Sequence, residues 1–304
     1  MKVLVTGAEG TLGKPLVCYL KRRGYDVIAT DVVGDCEFLD VTNEKNVISV
    51  FKKSRPDAVV HYAARAEPIA TSFSEVSEDV IVNVLGTRNV LEGCKLVGAK
   101  LIFASSAAVY GDVYLKRRQP LTEESETEPV NPYGVDKLAA EQYIKLYARN
   151  FGIEYAVLRF GNVYSWNDRK YLLWKLFCSA FLKHPFKMYG EGELIRDFVY
   201  VEDVNRLVEL CLESEVTGTF NVGHEALKVR DIVERVRKQF GDFPIVSVPS
   251  RSGEQRAVVL DCSKAKRILN WSPRTLLFDV IGLLFEEFRK RVEECGFSSS
   301  RFSV

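Results

Sequence analysis

Apolar residues cluster in short blocks through the first half of the chain, at 3–5, 26–29, 58–62, 101–104 and 155–158. Blocks this short and this apolar suit strands covered on both faces. Between them, residues 11–23, 44–53, 80–97 and 133–150 carry apolar side chains at three- and four-residue steps, the spacing of helices with one buried face. Strand and helix in alternation predict an α/β fold, a doubly wound parallel sheet with helices on both sides. After Asn162 the pattern turns irregular. An aromatic-rich helix is expected near 171–182, a glycine-rich segment at 189–193, then short strands and helices near 231–240 and 278–292. We therefore expect residues 1–162 to form a nucleotide-binding domain to which 198–222 return. Residues 163–197 and 223–304 are expected to form a smaller α+β substrate lobe, ending in a frayed tail at 297–304.

Charge and composition narrow the function. Lysine plus arginine total 42 against 41 aspartate plus glutamate, so no excess charge is available to follow nucleic acid or an anionic membrane. An anionic ligand must be held by local groups. The seven cysteines stand singly with no C-x-x-C pair, which argues against a disulfide framework and against a zinc site. No metal is expected. No apolar stretch reaches the roughly 18 residues of a spanning helix and no signal segment opens the chain, so a cytoplasmic protein is expected.

Chemistry first shows at Gly7-Ala-Glu-Gly10-Thr11-Leu12-Gly13, between the first strand and the first helix. Such a turn brings backbone N–H groups and a helix N-terminus up to a pyrophosphate, where side chains would block the approach. It can equally be a tight connection. Asp31, about 18 residues beyond Gly13 at the end of the second strand, sits where a carboxylate can accept both hydroxyls of an adenosine ribose. Its plain alternative is a solvated loop aspartate. Residues 32–37 hold no Arg or Lys to meet a 2′-phosphate, and Asp35 and Glu37 would repel one, so NAD is favoured over NADP.

The second cluster is Ser105-Ser106 at a strand's carboxyl end and Tyr133-x-x-x-Lys137 at the start of a long helix. Residues four apart share a helix face. An ammonium beside a phenol favours the phenolate, which can take a proton from an alcohol as hydride leaves the same carbon. Bringing a tyrosine from about 10 to about 7 needs roughly 4 kcal/mol. One cation at about 4 Å in an effective dielectric near 20 supplies that order of energy.

Taken in order, Gly7-x-x-Gly10-x-x-Gly13, Asp40-Val41, His61-Tyr-Ala-Ala64, Asn83-x-x-x-Thr87, Ser105-Ser106, Tyr133-x-x-x-Lys137 and Leu158-Arg-Phe-Gly-Asn162 resemble the extended short-chain dehydrogenase/reductase family, from residue 1 to about 290. Arg196 with Asp197 to Asp203, and Arg251-Ser-Gly-Glu254, resemble the substrate segments of its nucleotide-sugar epimerases and dehydratases. The resemblance implies a Rossmann-type fold with NAD bound by Gly7, Gly10, Thr11, Leu12, Gly13, Asp31, Asp40, Val41, Ala63, Ala64, Asn83, Ser105, Tyr133 and Lys137. It implies Ser106, Tyr133 and Lys137 as the catalytic set. A nucleotide sugar would be held by Ser106, Tyr133, Asn162, Met188, Tyr189, Arg196 and Arg251, with Val258 small enough to leave room for an N-acetyl group at C2. The implied reaction is 4-epimerisation of a UDP-glucose/UDP-galactose type of sugar, and the implied assembly a homodimer. Plain readings remain beside these: Asp40 as a helix cap, Asn83 satisfying buried backbone, Arg251 as a surface charge, Tyr164 and Trp166 as core aromatics. A 4-keto-sugar reductase, a sugar dehydrogenase and a non-catalytic NAD sensor or scaffold are the alternative functions. Two places depart from the family pattern. Ser165-Trp-Asn-Asp-Arg-Lys170 replaces a common glycine-proline turn, and the connection from Asp31 to Asp40 is short, resembling the cofactor loops of the family's sugar reductases as much as those of its epimerases. Ala107-Ala108 stands where dehydratases carry an Asp-Glu pair, so epimerisation without dehydration is expected.

Overall fold

The computed structural model describes residues 1–66 and 73–294, so the tail at 297–304 lies outside the described residues. The chain opens with β1 (Lys2–Thr6), α1 (Gly13–Arg22), β2 (Asp26–Asp31), β3 (Glu37–Phe38), α2 (Glu44–Ser54) and β4 (Ala58–His61). Next come α3 (Phe73–Val80), α4 (Gly86–Val97), β5 (Lys100–Ser106), the one-turn α5 (Val113–Arg117), α6 (Pro132–Phe151) and β6 (Tyr155–Phe160). β7 (Asn162–Tyr164), α7 (Leu172–Leu182), β8 (Phe186–Tyr189), β9 (Ile195–Tyr200) and α8 (Val201–Glu213) follow. The last elements are β10 (Gly218–Val222), β11 (Glu225–Lys228), α9 (Val229–Phe240), β12 (Ile245–Val248), α10 (Ser263–Leu269) and α11 (Leu277–Glu294).

Seven strands make one all-parallel sheet in the order β10-β6-β5-β4-β1-β2-β3. The side-chain period of two splits β1 between its faces. Val3 and Val5 join Leu16, Leu20, Leu207 and Phe220 on one side, and Leu4 joins Phe51, Leu91 and Ile144 on the other. The chain winds outward from β1 to β3 and then back to β4, so the crevice between the carboxyl ends of β1 and β4 is where such sheets take ligands. The strand β10 joins this sheet beside β6.

Two small sheets, β11-β9-β7 and β12-β8, carry a second core of Leu176, Phe177, Ile232, Phe285 and Phe288. Tyr164 is 2% exposed in that core and donates to the Thr275 carbonyl, and Trp166 packs beside it. Both are core aromatics. One stretch packs differently from the expected division: Ala265, Leu269 and Trp271 join the core of the large sheet, with the Trp271 indole donating to Asp203 O at 2.9 Å. An indole this size needs both a deep apolar seat and an acceptor, and the α8 side of the sheet offers both.

The expected helix over 80–97 contains a π-turn at Ile81–Leu85 between α3 and α4. Its flanks, Val80 and Gly86, keep helical angles, so the rod continues through it. π-turns of this kind are frequent at functional sites, and Asn83 lies inside this one.

Candidate active site

The glycine loop is shaped by its own packing. Gly7 has φ +66°, and a Cβ there would stand 2.7 Å from Ala63 N; one on Gly13 would stand 2.0 Å from Gly7 O. Gly10 differs, being exposed, so its open side faces outward where a diphosphate can approach. Ala63 is drawn up to this loop by Thr6, whose hydroxyl accepts from the N–H groups of Tyr62 and Ala63 and bonds the His61 imidazole at 2.8 Å. His61 is buried, and burial first, then the Lys137 charge, lower its pKa to about 3, so it stays neutral.

Asp31 ends β2 with one carboxylate oxygen accepting from Glu9 N at 3.0 Å and the other from Val32 N at 2.7 Å. Glu9 itself lies over Gly34, where an added Cβ would be 2.7 Å from Glu9 Cγ. It is paired with Lys14 at 3.3 Å. Two carboxylates thus share the end of β2. We expect NAD to bind at least about tenfold more tightly than NADP, because a 2′-phosphate would enter beside both charges. Calorimetric titration of the cofactor-free protein measures it, and equal affinities would overturn the assignment of Asp31.

Asp40 does not cap α2. Asn43 does, accepting from Asn46 N at 3.1 Å, while Asp40 accepts from the N–H and hydroxyl of Thr42. Val41 is buried at 4% exposure. Asn83 satisfies backbone, accepting from Arg65 N and donating to Arg65 O, with a further contact to Asp136 at 3.3 Å. It thereby pins the chain directly after Ala63 and Ala64.

The catalytic candidates come together around the start of α6. Asn131 caps the helix by accepting from Gly134 N, Pro132 opens it, and the Asn131 amide donates to Gly253 O in the Arg251 loop. Gly134 lets the helix approach the turn after β5, since a Cβ there would be 2.6 Å from Ala108 O. Ser106 is thereby brought to the Tyr133 side of the cleft, near enough for its hydroxyl to favour the phenolate. Lys137 Nζ lies 5.7 Å from the centre of the Tyr133 ring and donates to Ala104 O at 2.8 Å.

Burial lowers the Lys137 pKa to about 8, against the raising pull of Asp136 and Glu141. Burial and then the neighbouring Tyr171 phenol hold Tyr133 well above an ordinary tyrosine, with Ser106 pulling the other way. This differs from the phenolate expected beside an ammonium. The desolvation of Tyr133 outweighs its neighbours, so the protein alone keeps a neutral phenol.

Ser105 is 2% exposed, and its hydroxyl donates to the buried Glu141 at 2.6 Å, because β5 alternates its side chains between faces. Val258 is 1% exposed and packs with Ala107, Leu121 and Leu260. Asn162 is exposed at the start of β7, and Met188 and Tyr189 end β8 half-buried. Arg251 lies 4.1 Å from the Tyr189 ring centre and pairs with Glu254 at 2.9 Å. Arg196, largely buried, reaches the same Glu254 oxygen at 3.7 Å. The other Glu254 oxygen is buried without a hydrogen-bond partner. Two guanidinium groups converging on one carboxylate form a basic site suited to a diphosphate.

Spacing along the chain predicts neither the approach of Arg196 to Glu254 nor that of Tyr171 to Tyr133. The same holds for the contacts of Ser165 and Asn167 with the glycine loop, made across more than 150 residues.

A glycine-loop cradle with a terminal carboxylate, joined to a serine, tyrosine and lysine at one sheet edge, defines a dinucleotide-dependent enzyme acting on an alcohol or ketone. The sequence profile of the NAD dependent epimerase/dehydratase family matches residues 3–223, and the chain belongs to that family. It is 33% identical over 292 residues to a putative UDP-glucose 4-epimerase of Methanocaldococcus jannaschii, covering 89% of this chain and 93% of that one. The crystal structure of the Thermotoga maritima UDP-glucose 4-epimerase with UDP-glucose superposes with a TM-score of 0.87 at 29% identity, over 96% of this chain and 100% of the other. The Thermus thermophilus UDP-glucose 4-epimerase complex with NAD gives 0.88 at 30% identity, over 95% and 99%. No helix among the described residues is long and apolar enough to cross a membrane, and no group of His, Cys, Asp and Glu among them could hold a metal ion.

Proposed function

We propose that the protein inverts C4 of a nucleotide-linked hexose, of the UDP-glucose/UDP-galactose type, by transient oxidation at that carbon. The observation that carries this reading is the Ser106–Tyr133–Lys137 cluster beside the glycine-loop cradle. NAD, when bound, supplies the hydride acceptor and returning donor, and its positive ring favours the phenolate of Tyr133. Gly7, Gly10, Thr11, Leu12 and Gly13 would hold its diphosphate, Asp31 its adenosine ribose, Asp40 and Val41 the adenine, and Lys137 the second ribose. Tyr133 takes the proton from the sugar O4 and gives it back, Ser106 hydrogen-bonds the same oxygen, and Lys137 steadies the phenolate. Arg196 and Arg251 exchange Glu254 for the sugar's diphosphate.

Dehydration is disfavoured by what stands beside Ser106. Ala107 and Ala108, 3% and 8% exposed, can neither give nor take a proton. The nearby Glu123 is committed to Asn221 N at 2.7 Å, beneath the sheet edge. We expect product of unchanged mass with inverted C4, read by mass spectrometry and chromatography of UDP-, GDP-, dTDP- and CDP-sugar incubations. Loss of water or carbon dioxide would reject epimerisation. A gain of two hydrogens from added NADH would favour the 4-keto reductase reading.

The helices α3, α4 and α6 expose Val80, Leu85, Tyr143, Leu146 and Phe151 along one groove. A second copy covering that face gives the homodimer we propose, and sedimentation at micromolar concentration tests it. The six free cysteines among the described residues fit a reducing, cytoplasmic setting.

A further inference from the structure

The segment that departs from the family pattern, residues 165–170, reaches back to the glycine loop. Asn167 Nδ2 donates to Gly10 O at 3.2 Å, and the Ser165 hydroxyl donates to Thr11 O at 3.3 Å. Both donor residues are 4% exposed, so the side chains that make these part-buried bonds are themselves held inside the fold. The segment is also braced from behind. Ser165 Oγ accepts from Asn167 N, Asp168 accepts from the N–H groups of Lys170 and Tyr171 at the start of α7, and Arg291 of α11 donates to Asp168 O.

Those two carbonyls belong to peptide planes with a definite role. In a trans peptide the C=O of one residue and the N–H of the next point in opposite directions. Holding Gly10 O toward Asn167 therefore fixes the direction of the Thr11 N–H, and holding Thr11 O toward Ser165 fixes that of Leu12. Both donors stand at the entrance to α1, where N–H groups lack an intrahelical acceptor and are suited to a diphosphate. Gly10 O also accepts from Lys14 N within α1, so Asn167 adds the second restraint on that plane.

We propose that Ser165 and Asn167 form a latch through which the smaller lobe sets the glycine loop and slows the escape of bound NAD. They are positioning residues that touch no reacting atom. The proposal rests on the C4-epimerisation reading, in which the hydride must return before cofactor and protein separate. A slow cofactor exit is what that chemistry requires of the loop.

The test is cofactor dissociation from the purified holoenzyme, followed with no sugar present by trapping released NAD with excess lactate dehydrogenase and lactate. Asn167→Leu keeps the side-chain volume and removes the donor. It is expected to speed NAD release about tenfold, the order that loss of one hydrogen bond carries, and Ser165→Ala/Asn167→Leu more. The loss should appear as a raised apparent KM for added NAD, with saturating NAD recovering most of kcat. The thermal midpoint of the cofactor-free protein serves as the folding control. Unchanged NAD release in a folded variant overturns the latch. So does a kcat loss that saturating NAD cannot recover, which would make the segment a scaffold of the sugar site. Because no sugar enters the dissociation assay, the latch can stand or fall separately from the epimerase reading.

Discussion

Tyr133→Phe is expected to lower turnover by at least about 100-fold while leaving NAD affinity within about twofold of the parent. Only the phenol oxygen is lost, and that oxygen is the one whose ionised form Ser106 favours. The ring remains to pack beside Lys137, 5.7 Å from its ammonium. A general base contributes between about 10² and 10⁴ in rate. The His61 imidazole feels the Lys137 charge, yet both of its nitrogens are engaged, by Thr6 at 2.8 Å and Thr87 at 3.1 Å. Lys137→Ala should harm both turnover and NAD binding. Steady-state rates with titration of NAD measure the difference. A Tyr133→Phe enzyme retaining a tenth of parental activity would remove Tyr133 from the mechanism.

The parallel sheet and its crossover helices could be read from sequence because each depends on local periodicity. Val3 to Val5 is apolar throughout since both faces are covered, and the helix at 133–150 keeps one buried stripe. The pairing of Tyr133 with Lys137 follows from the helical repeat alone. What escaped the sequence depends on contacts made at long range or on which face of a strand a residue occupies. Ser105 and Ser106 are chemically identical neighbours, and only the pleat decides that Ser106 meets Tyr133 while Ser105 meets Glu141. The packing of Val258 with Ala107 and Leu260 depends on the bridge from Ile195 to Ala257, a pairing that no local spacing announces. The π-turn around Asn83 has no periodic signature, because one wide turn leaves the apolar stripe on either side intact.

Glu141→Ala is expected to destabilise the protein by about 3–5 kcal/mol, the cost of leaving a buried guanidinium without its partner. Glu141 is fully buried one helical turn beyond Lys137, and it accepts from Arg159 through two bonds, at 2.9 and 2.7 Å. Arg159 is 3% exposed and also donates to the Tyr110 hydroxyl, which donates to Asn221 Oδ1 at 2.6 Å. Asn221 in turn ties Leu121 and Asp261 to β10. The network joins α6, β5, β6 and β10 directly beneath the serine pair. Losing the carboxylate strands the Arg159 charge and frees the Ser105 hydroxyl together, so the penalty exceeds that of any surface ion pair in the chain. Replacing both partners, as Glu141→Leu/Arg159→Met, removes the charges with little change in volume and should recover much of the loss. Thermal unfolding of the three proteins in their cofactor-free form checks the order parent, double variant, single variant. A single variant as stable as the parent would mean that water reaches Arg159, and the buried network would then carry no part in holding the end of β5 against α6.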